Sequence, residues 1–314
     1  MADTSRRKPS STKHFSPSTW GGGGARLAVF WVIAVAGLPL LLLACLELSL
    51  RAAGYGYPTR YFLEKKMDSP HGVQRYAVAN PAYLLRFFPP QAARPTFPSV
   101  FPVAKPPNTV RCFVLGESSA MGEPNADAGF WRFLQTMLEA QAPERHVEFI
   151  NCATPAINTH VLAAMARECI RYSPDLFLVL AGNNEVMGPF GPSSALGGHV
   201  PSVPLIRAGL LCRTFRLGQF LDKTISFVTR AKPVSSHGSE NPFLGREIAA
   251  TDPRLKTVRA AFRRNMDDIL STATKNGVRV VVCTVPVNLR DCPPFASMPR
   301  QDMDAAQRDK WSSR

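Results

Sequence analysis

The sequence predicts an α/β fold built on a parallel β-sheet and preceded by one transmembrane helix. From about residue 109 onward, short apolar runs alternate with segments whose apolar residues recur every three or four positions, a pattern typical of strand–helix units. Near the N-terminus, the 20 residues from Leu27 to Leu46 carry no charge, and a helix needs about 20 residues to cross a bilayer core of roughly 30 Å.

The first element, residues 27–50, is expected to be an uncleaved membrane anchor. A secretory signal core is usually only about 7 to 15 residues long, and no clear small-residue cleavage site follows Leu46. Lipidation at Cys45 is an alternative, because residues 42–45 weakly resemble a lipoprotein cleavage box. The head, residues 1–26, is basic through Arg6, Arg7, Lys8, Lys13 and Arg26. Since Lys and Arg favour the cytoplasmic side, we predict a cytoplasmic N-terminus and an extracytoplasmic, periplasmic main domain.

The next elements are a stalk and then a domain of alternating strands and helices. Residues 51–108 are rich in Pro and aromatic residues without periodicity, which predicts a stalk or wrapping arm. The predicted strands are Val110–Leu115, Val147–Ile150, Leu176–Leu180 and Val278–Val285. Helices with one apolar face are predicted at 130–138, 161–170 and 255–275. The domain spans 109–300, with an insertion at 187–250 and a tail at 301–314.

The insertion contains a basic amphipathic stretch. Its apolar residues are Leu205, Leu210, Leu211, Phe215 and Leu221, and its basic residues are Arg207, Arg213, Arg216 and Lys223. Two interpretations stay open at this point. The stretch is either a lid that touches lipid or substrate, or a surface helix that covers a sheet edge, and we favour the second.

Composition excludes several classes of function. The net charge of +14 invites nucleic-acid binding, but the basic residues are dispersed and no zinc-finger spacing, RNP sequence or phosphate loop accompanies them, so we predict no nucleic-acid partner. The seven cysteines form no C-x-x-C pair, so neither a metal nor a cofactor is expected. Most of these thiols lie in apolar runs and are interpreted as core residues, with a Cys212–Cys292 bridge left open.

The loops that directly follow the first three strands carry the residues suited to chemistry. The first reads Gly116-Glu117-Ser118-Ser119, the second runs from Asn151 to Asn158, and the third reads Gly182-Asn183-Asn184-Glu185. Ligands of open parallel sheets bind at the carboxyl ends of the strands. A serine at a strand-to-helix turn suits a nucleophile, although it also suits a helix cap. An asparagine amide after the third strand suits an oxyanion hole.

Together, these three loops resemble the SGNH hydrolase superfamily, the GDSL-type esterases and lipases. That family has G-D-S after the first strand, N-x-x-x-x-G after the second and G-x-N-D after the third. The resemblance implies a three-layer α/β/α fold with a flavodoxin-like sheet and a small acyl-ester substrate. It implies Ser118 as nucleophile, and an oxyanion hole made by the backbone N–H groups of Ser118 and Ala156 and the side-chain amide of Asn184. Glu117 and Glu185 stand where the family has Asp, and Ala156 stands where it has Gly, which restricts the backbone.

Three strings are most similar to a membrane-anchored subgroup joined to C-terminal tetratricopeptide-type repeats: Val114–Pro124, Asn183–Gly191 and Val285–Asp291. The family's last block, D-x-x-H after a fifth strand, supplies the general base, and no histidine follows His237. We therefore expect a sheet truncated before its fifth strand and an inactive or weak esterase, with His160 structural. The alternatives are a non-catalytic membrane-anchored binding or interaction module and a fragment of a longer esterase–repeat protein. The sequence does not identify a protein partner, and whether one exists is left open.

Overall fold

The computed structural model describes residues 23–70, 72–194, 200–228, 246–288, 290–291 and 302–312. The chain divides into two compact units, residues 1–55 and 56–314.

The first unit is helical. Helix α1 is Gly23–Val32, a π-helical stretch follows at Ile33–Gly37, and helix α2 is Leu38–Ala52. Together they form an apolar helix over Arg26–Ala52, 27 residues long, in which an 18-residue window has a mean hydropathy of 2.7. Among the described residues it is the one helix long and apolar enough to cross a membrane. The predicted apolar helix is confirmed, and its length and composition suit a membrane span or a signal sequence alike.

The second unit opens with a small antiparallel sheet in the region described from sequence as a stalk or wrapping arm. Strands β1 (Phe62–Ser69), β2 (Gly72–Ala79) and β3 (Val100–Pro102) pair in the order β1-β2-β3. The aromatic residues of this region are buried in the main core: Tyr61, Phe62, Tyr83, Phe87 and Phe101. The rings of Phe62 and Phe101 pack edge to face with centroids 4.9 Å apart. The arm is therefore part of the folded domain.

The second sheet is parallel and has four strands within the described residues. They are β4 (Thr109–Gly116), β5 (His146–Asn151), β6 (Leu176–Leu180) and β7 (Arg279–Cys283). The spatial order is β5-β4-β6-β7, and each neighbouring pair runs parallel. The predicted α/β fold with a parallel sheet is thus confirmed, and every strand limit lies within two residues of its predicted position.

Helices lie on both faces of the parallel sheet. The α-helices described in this unit are α3 (Ser118–Met121), α4 (Phe130–Gln141), α5 (Thr159–Cys169), α6 (Val203–Cys212), α7 (Arg216–Val228), α8 (Arg254–Lys275) and α9 (Ala305–Ser312). Successive side chains of a strand point to opposite faces. In β4, Phe113 and Leu115 pack in one core with α5 and α8, whereas Cys112 and Val114 pack in a second core with Trp131 of α4. The arrangement is a three-layer α/β/α sandwich.

A buried arginine joins the two sheets. The Arg111 side chain has no exposed surface, and its Nε donates to Glu148 Oε2 at 2.6 Å. Its two terminal nitrogens donate to the carbonyl oxygens of Tyr172 and Pro102, each at 2.9 Å. The guanidinium carbon lies 5.0 Å from the centre of the Phe101 ring. A charge removed from water in this way is tolerated only because its donors are paired.

The inserted hairpin of α6 and α7 packs on the domain through α6. Ile206 and Leu210 join the main core, and Arg207 forms an ion pair with Asp268 of α8. Cys112, Cys152 and Cys169 are buried free thiols, as interpreted from sequence, while Cys45 and Cys212 are exposed. Cys292, the other half of the bridge left open above, lies outside the described residues.

Candidate active site

The loops that carry Ser118, Ala156 and Asn184 follow three neighbouring parallel strands. β4 lies between β5 and β6, with Gly116 opposite Leu180 and Val114 opposite Asn151. Because all three strands run in the same direction, their carboxyl ends meet at one edge of the sheet, where open α/β sheets bind ligands. The topology thus brings the three predicted site loops to the same edge.

The Ser118 turn depends on the glycine that precedes it. A Cβ at Gly116 would overlap the Ala120 side chain and lie 2.5 Å from the carbonyl oxygen of Leu180. Gly116 therefore allows the short helix α3 to begin directly against β6. Ser118 is the first residue of α3 and is partly exposed, while Ser119 is exposed.

Glu117 ties the Ser118 turn to the Asn184 loop. Its side chain is fully buried, and its two carboxylate oxygens accept the backbone N–H groups of Gly182 at 3.1 Å and of Asn184 at 2.9 Å. A second contact joins the same loops, because Asn183 Nδ2 donates to Ser119 Oγ at 2.9 Å. The residue before the candidate nucleophile thus holds the backbone of the candidate oxyanion donor.

The environment of Glu117 favours its neutral form. Burial raises the pKa of this carboxyl to about 7, and the nearby Glu185 carboxylate adds to the rise, while the backbone N–H groups oppose it. The Glu185 carboxylate is likewise held by hydrogen bonds, in this case from Thr159. Its oxygens accept from the Thr159 backbone N–H at 2.8 Å and from the Thr159 hydroxyl at 2.9 Å, and burial raises its pKa.

The Ala156 loop is tied to the Ser118 turn by its own residues. The Thr154 N–H donates to the Gly116 carbonyl oxygen at 3.2 Å, and Asn151 Nδ2 donates to the Met121 carbonyl oxygen at 3.3 Å. Ala156 is exposed and has a φ of 63°, in the left-handed region that glycine adopts most readily. The backbone at Ala156 therefore has a conformation that a glycine would adopt without strain.

Asn265, which was not predicted from sequence, and Arg207, predicted only as a basic residue of the insertion, decide which ring nitrogen of His160 carries the proton. Arg207 donates to Asn265 Oδ1 at 3.1 Å, so the Asn265 amide nitrogen faces His160 Nδ1 at 3.1 Å and donates to it. Nδ1 is therefore the acceptor, and the neutral ring carries its proton on Nε2. Burial, with a smaller effect from Arg207, lowers the pKa of His160 to about 4.

This arrangement removes His160 as a base for Ser118. A general base needs a free lone pair directed at the hydroxyl and a pKa near the working pH. The Nδ1 lone pair of His160 is already used by Asn265, and Nε2 carries the proton. The other described histidine, His146, begins β5 and so lies at the opposite end of that strand from the site. The signal for Asn265 was present in the sequence as a polar residue on the otherwise apolar inner face of α8.

Comparison with known proteins yields only distant structural similarity. No family model and no curated protein matches the sequence. Among solved structures, an alpha/beta hydrolase enzyme from the metagenome of Lake Arreo, Spain, is similar at 19% identity and a TM-score of 0.27, over 55% of this chain and 76% of that one. An acetyl xylan esterase variant from Geobacillus stearothermophilus is similar at 16% identity and a TM-score of 0.28, over 57% and 78%.

A family 3 carbohydrate esterase from Clostridium thermocellum is similar at 12% identity and a TM-score of 0.25, over 55% of this chain and 78% of that one. TM-scores of this size assign no function. The fold class given above rests on the strand order of the chain itself.

Proposed function

We propose that the second unit is an SGNH-type ester hydrolase domain in which Ser118 is the nucleophile. The observation that supports this most strongly is the Glu117 carboxylate, which accepts the N–H groups of Gly182 and Asn184 and so holds the serine turn against the asparagine loop. The proposed substrate is a small acyl ester. Membership of the repeat-joined subgroup belongs to the same proposal and rests only on the sequence strings given above.

In the proposed reaction, the Ser118 Oγ attacks the ester carbonyl carbon while its proton passes to a base. The carbonyl oxygen becomes an oxyanion that accepts hydrogen bonds from the backbone N–H groups of Ser118 and Ala156 and from the Asn184 amide. Collapse of this intermediate expels the alcohol, which takes up a proton, and leaves an acyl-serine. Water then attacks the acyl group and releases the acid, and the proton returns to Ser118.

The one D-x-x-H string among residues 1–314, Asp68 to His71, precedes the parallel sheet and so does not stand where the resembled family has its base. His160 is bound to Asn265. A positioned base typically contributes about 10²- to 10⁴-fold in rate. We therefore propose that this chain hydrolyses an activated acetyl ester feebly or not at all. The lack of a general base also favours the alternative function, a non-catalytic binding module. Such a module would hold an ester at this site without cleaving it.

The experiment that separates an ester hydrolase from a binding module supplies the missing base as imidazole in solution. The full chain in detergent is assayed with 4-nitrophenyl acetate over a range of imidazole concentrations, beside Ser118→Ala and its neighbour Ser119→Ala. Imidazole alone also hydrolyses the ester, so the quantity compared is the increment above the protein-free rate. We expect that increment in the wild-type chain and in Ser119→Ala and its loss in Ser118→Ala. Equal increments in all three proteins would contradict the assignment of Ser118.

We further propose that residues 27–50 anchor the chain with its N-terminus in the cytoplasm and the second unit outside it, in the periplasm. The proposal rests on the uncharged helix and on the cluster of Arg and Lys before it.

A further inference from the structure

A chain of hydrogen bonds runs from the insertion to the loop that carries Asn184. Arg207 of α6 donates to Asn265 Oδ1 at 3.1 Å, and Asn265 Nδ2 donates to Thr159 Oγ1 at 3.2 Å. The Thr159 hydroxyl then donates to Glu185 Oε2 at 2.9 Å. Thr159 and Asn265 are buried, so water does not replace these bonds. The chain begins at a cation and ends at a carboxylate.

Every donor in this chain faces the same way, which fixes the direction of the Thr159 hydroxyl. The Asn265 amide nitrogen carries two hydrogens, and they go to Thr159 Oγ1 and to His160 Nδ1. Because Oγ1 already accepts one of them, the hydrogen of the hydroxyl is directed to Glu185. Hydrogen bonds aligned in one direction polarise and strengthen one another. Asn265 therefore aligns the hydroxyl that binds the Glu185 carboxylate.

Both oxygens of the Glu185 carboxylate bind the single residue Thr159. Thr159 is where α5 begins, and its backbone N–H donates to Glu185 Oε1 at 2.8 Å. The first N–H groups of a helix have no partner within it, and this end of the helix attracts an anion. The preceding residue, Asn184, has its backbone N–H bound to Glu117. Within the described residues the Asn184 side-chain amide forms no hydrogen bond, so its placement depends on the loop backbone.

We propose that Thr159 is a positioning residue for Asn184, which acts through Glu185 and whose hydroxyl is aligned by Asn265. Holding Glu185 fixes the backbone next to Asn184, so the Asn184 amide keeps its place at the edge of the sheet. The catalytic effect rests on the proposed function, in which this amide donates to the oxyanion. Because Arg207 begins the chain, the insertion supports the site through contacts inside the second unit.

The first test measures backbone hydrogen exchange of the full chain in detergent, by mass spectrometry with fragmentation to single residues. Thr159→Val keeps the shape of the side chain but removes the hydroxyl, Thr159→Ser keeps the hydroxyl, and Thr136→Val removes a hydroxyl from α4. Exchange of the Gly182 and Asn184 N–H groups should be about 10- to 100-fold faster in Thr159→Val, because one Glu185 oxygen loses its donor. Exchange in Thr159→Ser and Thr136→Val should match that of wild type.

The second test measures the Ser118-dependent hydrolysis of 4-nitrophenyl acetate in the presence of imidazole. The oxyanion forms only as the reaction proceeds, so a displaced donor lowers kcat and leaves KM nearly unchanged. Thr159→Val should lower kcat by about tenfold or more, and Thr159→Ser should restore it. Asn265→Leu should lower kcat by less than Thr159→Val does, since it removes the alignment of the hydroxyl and not the hydroxyl itself.

Several outcomes would overturn the proposal. One is unchanged exchange of the Gly182 and Asn184 N–H groups in Thr159→Val. Equal acceleration in Thr159→Ser is another, because a variant that keeps the hydroxyl would then behave like one that lacks it. Equal acceleration throughout β4 would show a general loss of stability and contradict a local role. If wild type shows no Ser118-dependent hydrolysis, the proposed function fails, whereas the exchange rates still decide whether Thr159 positions the Asn184 loop.

Discussion

Replacing Glu117 by Gln should change how the stability of the second unit depends on pH. Burial raises the pKa of this carboxyl from an ordinary 4.5 to about 7. Between these values the unfolded chain releases the proton and the folded chain keeps it, so folding stability falls as pH rises. The contribution is fully present below pH 4.5 and is lost as pH rises through 7. At 1.36 kcal/mol per pKa unit, the loss is about 3 kcal/mol.

The glutamine variant lacks this titration but has a defect of its own. Both Glu117 oxygens accept backbone N–H groups, and a Gln would turn its own NH₂ toward one of them. An unpaired buried donor costs about 1 to 3 kcal/mol, at every pH. Wild type should therefore be the more stable protein at pH 4.5. Because it loses about 3 kcal/mol between pH 4.5 and pH 8 and the variant does not, Glu117→Gln should be as stable as wild type or more stable at pH 8.

The assay is thermal unfolding of the full chain in detergent, followed by near-ultraviolet circular dichroism at pH 4.5 and 8. For a unit of this size, about 3 kcal/mol corresponds to roughly 6 to 12 °C in Tm. We expect the Tm of wild type, taken relative to that of Glu117→Gln, to fall by that amount between pH 4.5 and pH 8. Glu144→Gln, which removes an exposed carboxylate, is the matched control. A Tm difference that stays constant with pH would refute the reasoning.

Three other perturbations follow from the same structure. Arg111→Ala should lower the free energy of unfolding by about 3 to 5 kcal/mol, because the half-buried Glu148 carboxylate and two carbonyl oxygens would lose their common partner. Arg75→Ala, which breaks the exposed pair with Glu64, should change it by less than about 1 kcal/mol. Urea denaturation measures both, and equal effects would contradict the role given to Arg111. Ala156→Val should lower Tm, since a β-branched residue at a φ of 63° is strained by about 1 to 3 kcal/mol, while Ala156→Gly should preserve Tm. A valine variant with a higher Tm than the glycine variant would count against the left-handed turn. An alkaline phosphatase fused after Gly54 should be active in a bacterial host, and cytoplasmic activity of a β-galactosidase fused at the same residue would instead reverse the proposed orientation.

The sequence predicted those features that depend on neighbouring residues. The four parallel strands and helices α4, α5 and α8 were identified because their apolar periodicity is local. The meeting of the Ser118 and Asn184 loops at one edge followed from the common direction of the strands. That Ser118 acts as a nucleophile, and Asn184 and Ala156 as oxyanion donors, remains a prediction.

The antiparallel sheet was not predicted, because its strands β1 and β2 have their buried residues near one end and are otherwise largely exposed. In β1 only Phe62 is fully buried, and residues 64–68 are exposed. Such a pattern has no period of two to detect. The prolines of residues 89–107 further obscured it, and the burial of Tyr61 and Tyr83 depends on contacts with a core more than 50 residues away.

By itself, the sequence determined the α/β class, the apolar N-terminal helix and the positions of the three site loops, since each follows from composition or periodicity within a few turns or strands. Only the tertiary structure decided the proton state of His160, the raised pKa of Glu117 and the attachment of α7 to Tyr57. His160 meets Asn265 across 105 positions of the chain, Glu117 meets Asn184 across 67, and Tyr57 meets Gln219 across 162. Hydrogen bonding and desolvation depend on which groups are close in space, and at these separations no local pattern of residues specifies that.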